Sequence, residues 1–425
     1  MSFPQRSLIV SATFLLSVLL YVDRVCISAA KKNVADDLLL SDHQMGWVFA
    51  AFSLGYALFQ APSGWLADRF GPRRVLAAIV CVWSTFTGLT AAANSFVAML
   101  VIRFLFGAGE AGAFPGMSRV MYSWIPMQER GLVQGINFSG SRIGAAVTLP
   151  MVSGLIAQLG WRWSFVTLMG IGFIWSMLWL IYFRNDPRDA SWLRERERDF
   201  ILANRQSQSK PGMNAEASIS SSFIQTLLCS SSVQSLCFQY FASNFIFFFG
   251  LTWFFPQLQA RYGLSGFQAS LFTAIPMICG AFGNWVAGWW VDYLYLQGRW
   301  RSSRRLPAML GFALAAIGIV GSAYAATPWS SSLWFSLCIF GADMTLSPSW
   351  SSCVDIGQSR SGVVSGVMNM AGNMGAFVTS LAFPYLLGWT GSSLPFFYIA
   401  AVLNIAAIGM WFRIDPTLPL EAKSK

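Results

Sequence analysis

The stretch "GWLADRFGPRR", Gly64 to Arg74, closes one apolar run and opens the next. It is fit for hydrocarbon as far as Ala67, and then Asp68, Arg69, Arg73 and Arg74 crowd around Gly71 and Pro72. A charged turn this short between two long apolar runs reads as a loop joining two membrane-spanning helices on one side of a bilayer. "GWWVD", Gly288 to Asp292, repeats the pattern in the second half and is again followed by arginines, Arg299, Arg301, Arg304 and Arg305. The chain therefore reads as a polytopic membrane protein with an internal repeat.

The rest of the sequence agrees. Of its 425 residues 55% are hydrophobic and 11% charged, where a soluble chain carries about 25% charged residues. Twelve windows reach spanning length. Leu8–Ser28, Gln44–Ala67, Val75–Ala93, Phe96–Tyr122, Gly131–Ala157 and Trp163–Phe183 make a first set. Leu236–Leu258, Phe267–Val291, Leu306–Ala326, Leu333–Val354, Gly362–Leu387 and Leu394–Phe412 make a second. The expected fold is an all-α membrane protein of twelve transmembrane helices in two pseudo-symmetric six-helix bundles. Residues 1–183 form the first bundle, 184–235 a cytoplasmic linker, and 236–425 the second bundle. In the linker, Ser191 is the expected cap of a short helix. The first span looks like a signal peptide, with Arg6 before it, but Asp23 and Arg24 interrupt it and more spans follow, so it is read as retained.

With both termini in the cytoplasm, 20 of the 28 basic residues fall on that side and Lys31, Lys32, Arg162 and Arg261 on the other, as the positive-inside rule requires. This accounts for the net charge of +10 without a nucleic-acid partner. The expected setting is a bacterial inner membrane, with the protein acting as a monomer. The seven cysteines show no CxxC or metal spacing and are expected to be buried, inert thiols; no metal or cofactor is implied. His43, the single histidine, is expected in an outer loop, so proton chemistry inside the membrane falls to carboxylates.

The repeat extends past the loops. Glu110 and Pro115 correspond to Asp343 and Pro348 at an offset of 233; Gly131, Gly135 and Gly144 correspond to Gly362, Gly366 and Gly375 at 231. That register sets Arg142 opposite Asn373.

"GWLADRFGPRR" resembles the loop signature of the major facilitator superfamily. "YVDR" in the first span, "RFLFGAGEAGAFP" in the fourth and "CVDIGQSRSGVVSGVMNMAGNMG" entering the eleventh resemble its anion:cation symporter family. The resemblance implies a secondary transporter rather than an enzyme, with Gly64, Asp68, Arg69, Gly71, Arg73 and Arg74 in conformational gating. It also implies proton-coupling roles for the acids matching Asp23 and Glu110, and sugar acids such as hexuronates, aldonates or aldarates as substrates. Asp343 is an extra midplane acid outside that pattern and is a candidate to neutralise Arg142.

Each charge at mid-bilayer costs about 2.5–3.5 kcal/mol on insertion scales, so Asp23, Arg24, Arg103, Glu110, Arg142 and Asp343 should line a polar interior. Arg24 offers a planar fork for a carboxylate. It shares a helical face with Tyr21, as Tyr56 does with Gln60, and Asn369 with Asn373. Tyr240 and Asn244 add polar groups to the seventh span. Arg103 and Glu110 stand seven residues apart, about 10 Å along a helix, so they are expected to couple through water or ligand, with Arg103 setting the charge state of Glu110. Arg119 is assigned a structural role, with Asp68 its candidate partner. The reading is proton-driven import of an organic anion, with sodium coupling open. An exporter or exchanger is disfavoured because "GSRIGAAVTLP" has no Gly-Pro before Gly144. A symporter of another carboxylate (an aromatic or dicarboxylic acid), a membrane enzyme and a non-transporting sensor are the remaining alternatives.

Overall fold

The computed structural model describes residues 4–206, 221–264 and 266–420. Among them it contains only helices and turns. The elements of the first half are α1 (Ser7–Ala29), α2 (Lys31–Asp37), α3 (Asp42–Phe70), α4 (Pro72–Thr90), α5 (Phe96–Glu110), α6 (Ala113–Trp124) and α7 (Arg130–Tyr182). Between the halves lie α8 (Glu195–Asn204) and α9 (Ser221–Cys229). The second half comprises α10 (Ser231–Thr252), α11 (Phe254–Tyr262), α12 (Gly266–Leu296), α13 (Trp300–Tyr324), α14 (Pro328–Met344), α15 (Leu346–Gly357), α16 (Ser361–Thr390) and α17 (Leu394–Trp411).

These elements make the twelve passes. The fourth and tenth are each built from two pieces, α5–α6 and α14–α15. The acids Glu110 and Asp343 lie at or one residue from the end of the first piece, and Pro115 and Pro348 lie in the first turn of the second. A helical proline has no N–H and its ring crowds the carbonyl four residues back. Those carbonyls belong to Ala111 and Met344, where the two breaks fall. The repeat read from the sequence thus gives both halves the same interrupted helix. The fifth and sixth passes run together as α7, turning at Gly160, where φ is 75°.

Cα packing divides the chain into two compact units. The first holds residues 1–127, 140–216 and 358–366; the second holds 128–139, 217–357 and 367–425. In the first, α1 packs on α7 and Val22, Cys26 and Ile27 join a core with Met99, Phe165 and Leu168. In the second, an aromatic core gathers Phe245, Phe249, Phe254, Phe335, Phe383 and Phe396.

The linker departs from expectation in one respect. Its helix begins at Glu195 with Arg194 at the N-cap, not at Ser191. Trp192 instead stacks on Trp124 at 5.7 Å and donates its indole N–H to the Tyr182 carbonyl, which holds residues 190–194 against the first unit before the helix starts. Two smaller corrections follow. Cys229 is exposed at the end of α9, unlike the buried Cys26, Cys338 and Cys353. Position 43 lies in the first turn of α3, behind the Ser41 cap, rather than in a loop.

Candidate functional site

In the first unit, α3 and α5 touch backbone to backbone. A Cβ at Gly107 would stand 2.2 Å from the Phe52 carbonyl oxygen, and one at Gly55 would stand 2.1 Å from that of Phe104. Only glycine permits this approach, and it brings Phe52 and Tyr56 against the charges of α5. The Arg24 guanidinium, arriving from α1, lies 4.9, 5.2 and 4.5 Å from the ring centres of Tyr21, Phe52 and Tyr56. Arg103 lies 5.1 Å from Phe52 and 4.5 Å from Phe106. Two guanidiniums therefore share the Phe52 ring, each gaining a cation–π contact.

Glu110 is fully buried. Arg24 donates its Nε–H to Glu110 Oε1 at 3.0 Å and an Nη2–H to the same oxygen. Glu110 Oε2 has no hydrogen-bond partner among the described residues. Glu110 was expected to couple to Arg103 through water or ligand rather than directly; its direct partner is Arg24. Two turns along one helix keep Arg103 and Glu110 apart in height, whereas Arg24 approaches from a neighbouring helix. Asp23 is also fully buried, and its Oδ2 accepts the indole N–H of Trp83 on α4 at 3.0 Å. Gln60 is buried on α3, with neither amide atom partnered among the described residues.

In the second unit the polar residues form a group of their own. Tyr240 Oη accepts from the Trp350 indole at 3.0 Å, and Asn244 donates to the Tyr240 carbonyl at 3.0 Å. Both side chains close on Gly372, where a Cβ would lie 2.4 Å from Tyr240 and 2.7 Å from Asn244. Asn373 donates to the Asn369 carbonyl at 2.9 Å, leaving Asn369 Nδ2 without a partner among the described residues. Asp343 is buried in the second unit against Gly280, whose added Cβ would sit 2.2 Å from its Oδ2, while Arg142 is buried in the first.

The two loop signatures make the same contact in their two units. Asp68 accepts the backbone N–H groups of Gly362 and Val363 at 2.9 and 2.8 Å, at the first turn of α16. Asp292 accepts those of Gly131 and Leu132 at 2.7 and 2.6 Å, at the first turn of α7. The unpaired N–H groups and positive pole of a helix start suit a carboxylate. Gly64 and Gly362 meet backbone to backbone, as Gly288 and Gly131 do. Arg73 ties the loop to the end of α7 through the Leu180 carbonyl at 2.6 Å, and its own N–H donates to Asn185 Oδ1 at 2.9 Å. Arg69 lies over Trp65 and Phe70, and Arg74 is exposed. Arg119 makes no ion pair with Asp68 among the described residues; its Nε and Nη1 have no hydrogen-bond partner there.

Sequence reasoning passed over Asp355. It pairs with Arg130 at 2.7 Å and Arg304 at 2.9 Å, all three fully buried. The signal lay inside "CVDIGQSR", where an acid ends an apolar run just before an arginine-bearing turn. Trp83 and Phe52 were missed because an aromatic in an apolar span carries no mark of its polar partner.

The comparisons with known proteins converge on this architecture. Residues 13–380 match the Major Facilitator Superfamily. A probable sulfoacetate transporter of Cupriavidus necator is 32% identical, covering 98% of this chain and 95% of that protein. The hexuronate transporter of Bacillus subtilis is 31% identical over 93% and 91%. A probable galactarate/D-glucarate transporter of Escherichia coli is 31% identical over 91% and 88%. Among solved structures, a proton:xylose symporter superposes with a TM-score of 0.77 at 16% identity, covering 98% of both chains; that likeness speaks to the fold. The chain is an integral, multi-pass membrane transporter, not an enzyme, and it belongs to the Major Facilitator Superfamily as a member of the anion:cation symporter type.

Proposed function

We propose that this transporter imports a sugar acid or closely related organic anion together with protons, across a bacterial inner membrane with both termini cytoplasmic. The observation that carries the reading is the Arg24–Glu110 pair. While Glu110 is ionised, it neutralises the guanidinium and occupies its Nε and Nη2 donors. An incoming carboxylate then finds the Nε/Nη2 side of the fork taken and meets the repulsion of a buried anion. A proton on Glu110 removes the negative charge and frees the Arg24 fork for the substrate carboxylate. Tight substrate binding then requires the proton, which is the thermodynamic content of symport.

Asp23, next to Arg24 in sequence, is the second proton carrier in this reading. Arg103 supplies fixed positive charge to both acids. Gln60, Tyr21 and Tyr56, with Tyr240, Asn244, Asn369, Asn373 and Arg142, are assigned to the substrate's oxygens. The relatives named for hexuronate and for galactarate or glucarate support a polyhydroxy acid. Gly64, Asp68, Arg69, Gly71, Arg73 and Arg74 are assigned to gating, through the Asp68 contact with α16.

The test is uptake by proteoliposomes of D-glucuronate, D-galactarate, D-galactonate and sulfoacetate, each with an imposed proton gradient, a sodium gradient or neither. Concentrative uptake of a sugar acid on the proton gradient alone is expected. Accumulation of sulfoacetate only would move the substrate to a small sulfonate, and accumulation driven only by sodium would remove the proton role of Glu110.

A further inference from the structure

We infer that Trp83 is a positioning residue of the coupling machinery: its indole holds one oxygen of Asp23 so that the other takes the proton. The inference rests on the reading of Asp23 as a proton carrier. Trp83 is fully buried on α4 and its Nε1–H donates to Asp23 Oδ2 at 3.0 Å. Asp23 Oδ1 has no hydrogen-bond partner among the described residues. An indole can only donate, so the hydrogen bond is compatible with both charge states of Asp23 provided the proton sits on Oδ1. The carboxyl then alternates between ionised and protonated forms without turning or losing its anchor. A lysine or arginine in place of Trp83 would add a charge that opposes protonation; a neutral donor fixes geometry alone.

Glu110 is arranged the same way, with Oε1 engaged by Arg24 and Oε2 without a partner among the described residues. The packing delivers Trp83 to this place. A Cβ at Gly109 would lie 2.8 Å from the Val82 side chain and 3.4 Å from the Trp83 backbone nitrogen, so α5, with Arg103 and Glu110, presses on the turn of α4 that carries the indole. The charged groups acting on Asp23 are Glu110 and Arg103 from α5. Cys26, one turn along α1, donates its thiol to the Asp23 carbonyl at 3.0 Å. From α3, Tyr56 serves the Arg24–Glu110 pair. Trp83 thus acts on Asp23 as a donor that brings no charge of its own.

The experiment is pH-difference infrared spectroscopy of the full-length protein in lipid, following the C=O stretch of protonated carboxyls, with no substrate added. The Asp23 band is identified as the one lost in Asp23→Asn. In Trp83→Phe this band should move to higher wavenumber, as expected of a carbonyl Oδ2 released from its donor. Trp83→His, which keeps a ring N–H, should hold it near the wild-type position. Either variant decides alone: an unmoved band in Trp83→Phe, or a band fully displaced in Trp83→His, overturns the inference. If Asp23→Asn removes no band, Asp23 does not change protonation and the proton-carrier reading itself fails, which is a separate outcome.

Discussion

Arg24 reaches Glu110 through two donors, and both end on the same oxygen, Oε1. The carboxylate is held from one side only, and the guanidinium keeps its remaining N–H groups for other acceptors. An ion pair built as a fixed structural brace gains most from fork-to-fork geometry, with each oxygen meeting its own nitrogen. The one-sided form suits a pair that opens and closes.

Arg24→Lys keeps the charge and loses the planar fork. Substrate affinity should fall by about 10- to 100-fold, the loss of roughly one charge-assisted hydrogen bond. Isothermal calorimetry with the transported organic anion reads this directly, and unchanged affinity would remove Arg24 from the substrate site.

Asp68 and Asp292 make the same contact, so they should respond alike. Asp68→Asn and Asp292→Asn each remove a carboxyl from a helix start, where burial pushes both groups up to about 7 and the ionised form is worth about 1 kcal/mol. Both variants should bind substrate normally, transport it more slowly and melt earlier in detergent. Wild-type transport rates in both would leave the two loops without a gating role.

Asp355→Asn should be the most damaging single change outside the coupling cluster. It removes the buried carboxylate that Arg130 and Arg304 both meet, a loss that costs about 3–5 kcal/mol. Loss of folded protein on size-exclusion chromatography is the expected result, with partial recovery in the double variant Asp355→Asn, Arg304→Gln.

Much of this was legible in the sequence. The paired "GWLAD" and "GWWVD" stretches and the acid-to-proline spacings specify two like halves, because turns, charges and prolines act locally. The short list of intramembrane charges included Asp23, Arg24, Arg103 and Glu110, which the fold brings together, since hydrocarbon tolerates few such residues. Who pairs with whom was not legible. Arg103 shares a helix with Glu110, so spacing arguments reach it, whereas Arg24 meets Glu110 through α1–α5 packing that no local pattern encodes. The loop signature singled out Asp68, but its target at Gly362, nearly three hundred residues along the chain, follows only from the fold. Asp355 stayed hidden for the same reason: both of its arginines come from other helices.

The central claim is that protonation of Glu110 releases Arg24 for the substrate, and Glu110→Gln tests it most directly, because the amide imitates the protonated state. In proteoliposomes the variant should still exchange labelled for unlabelled substrate, yet fail to concentrate it on a proton gradient. With two protons per monoanion, one net positive charge enters per cycle, and 100 mV contributes about 2.3 kcal/mol that the variant can no longer use in full. Glu110→Gln vesicles that still accumulate substrate as the wild type does would contradict the account and move the switch away from this pair.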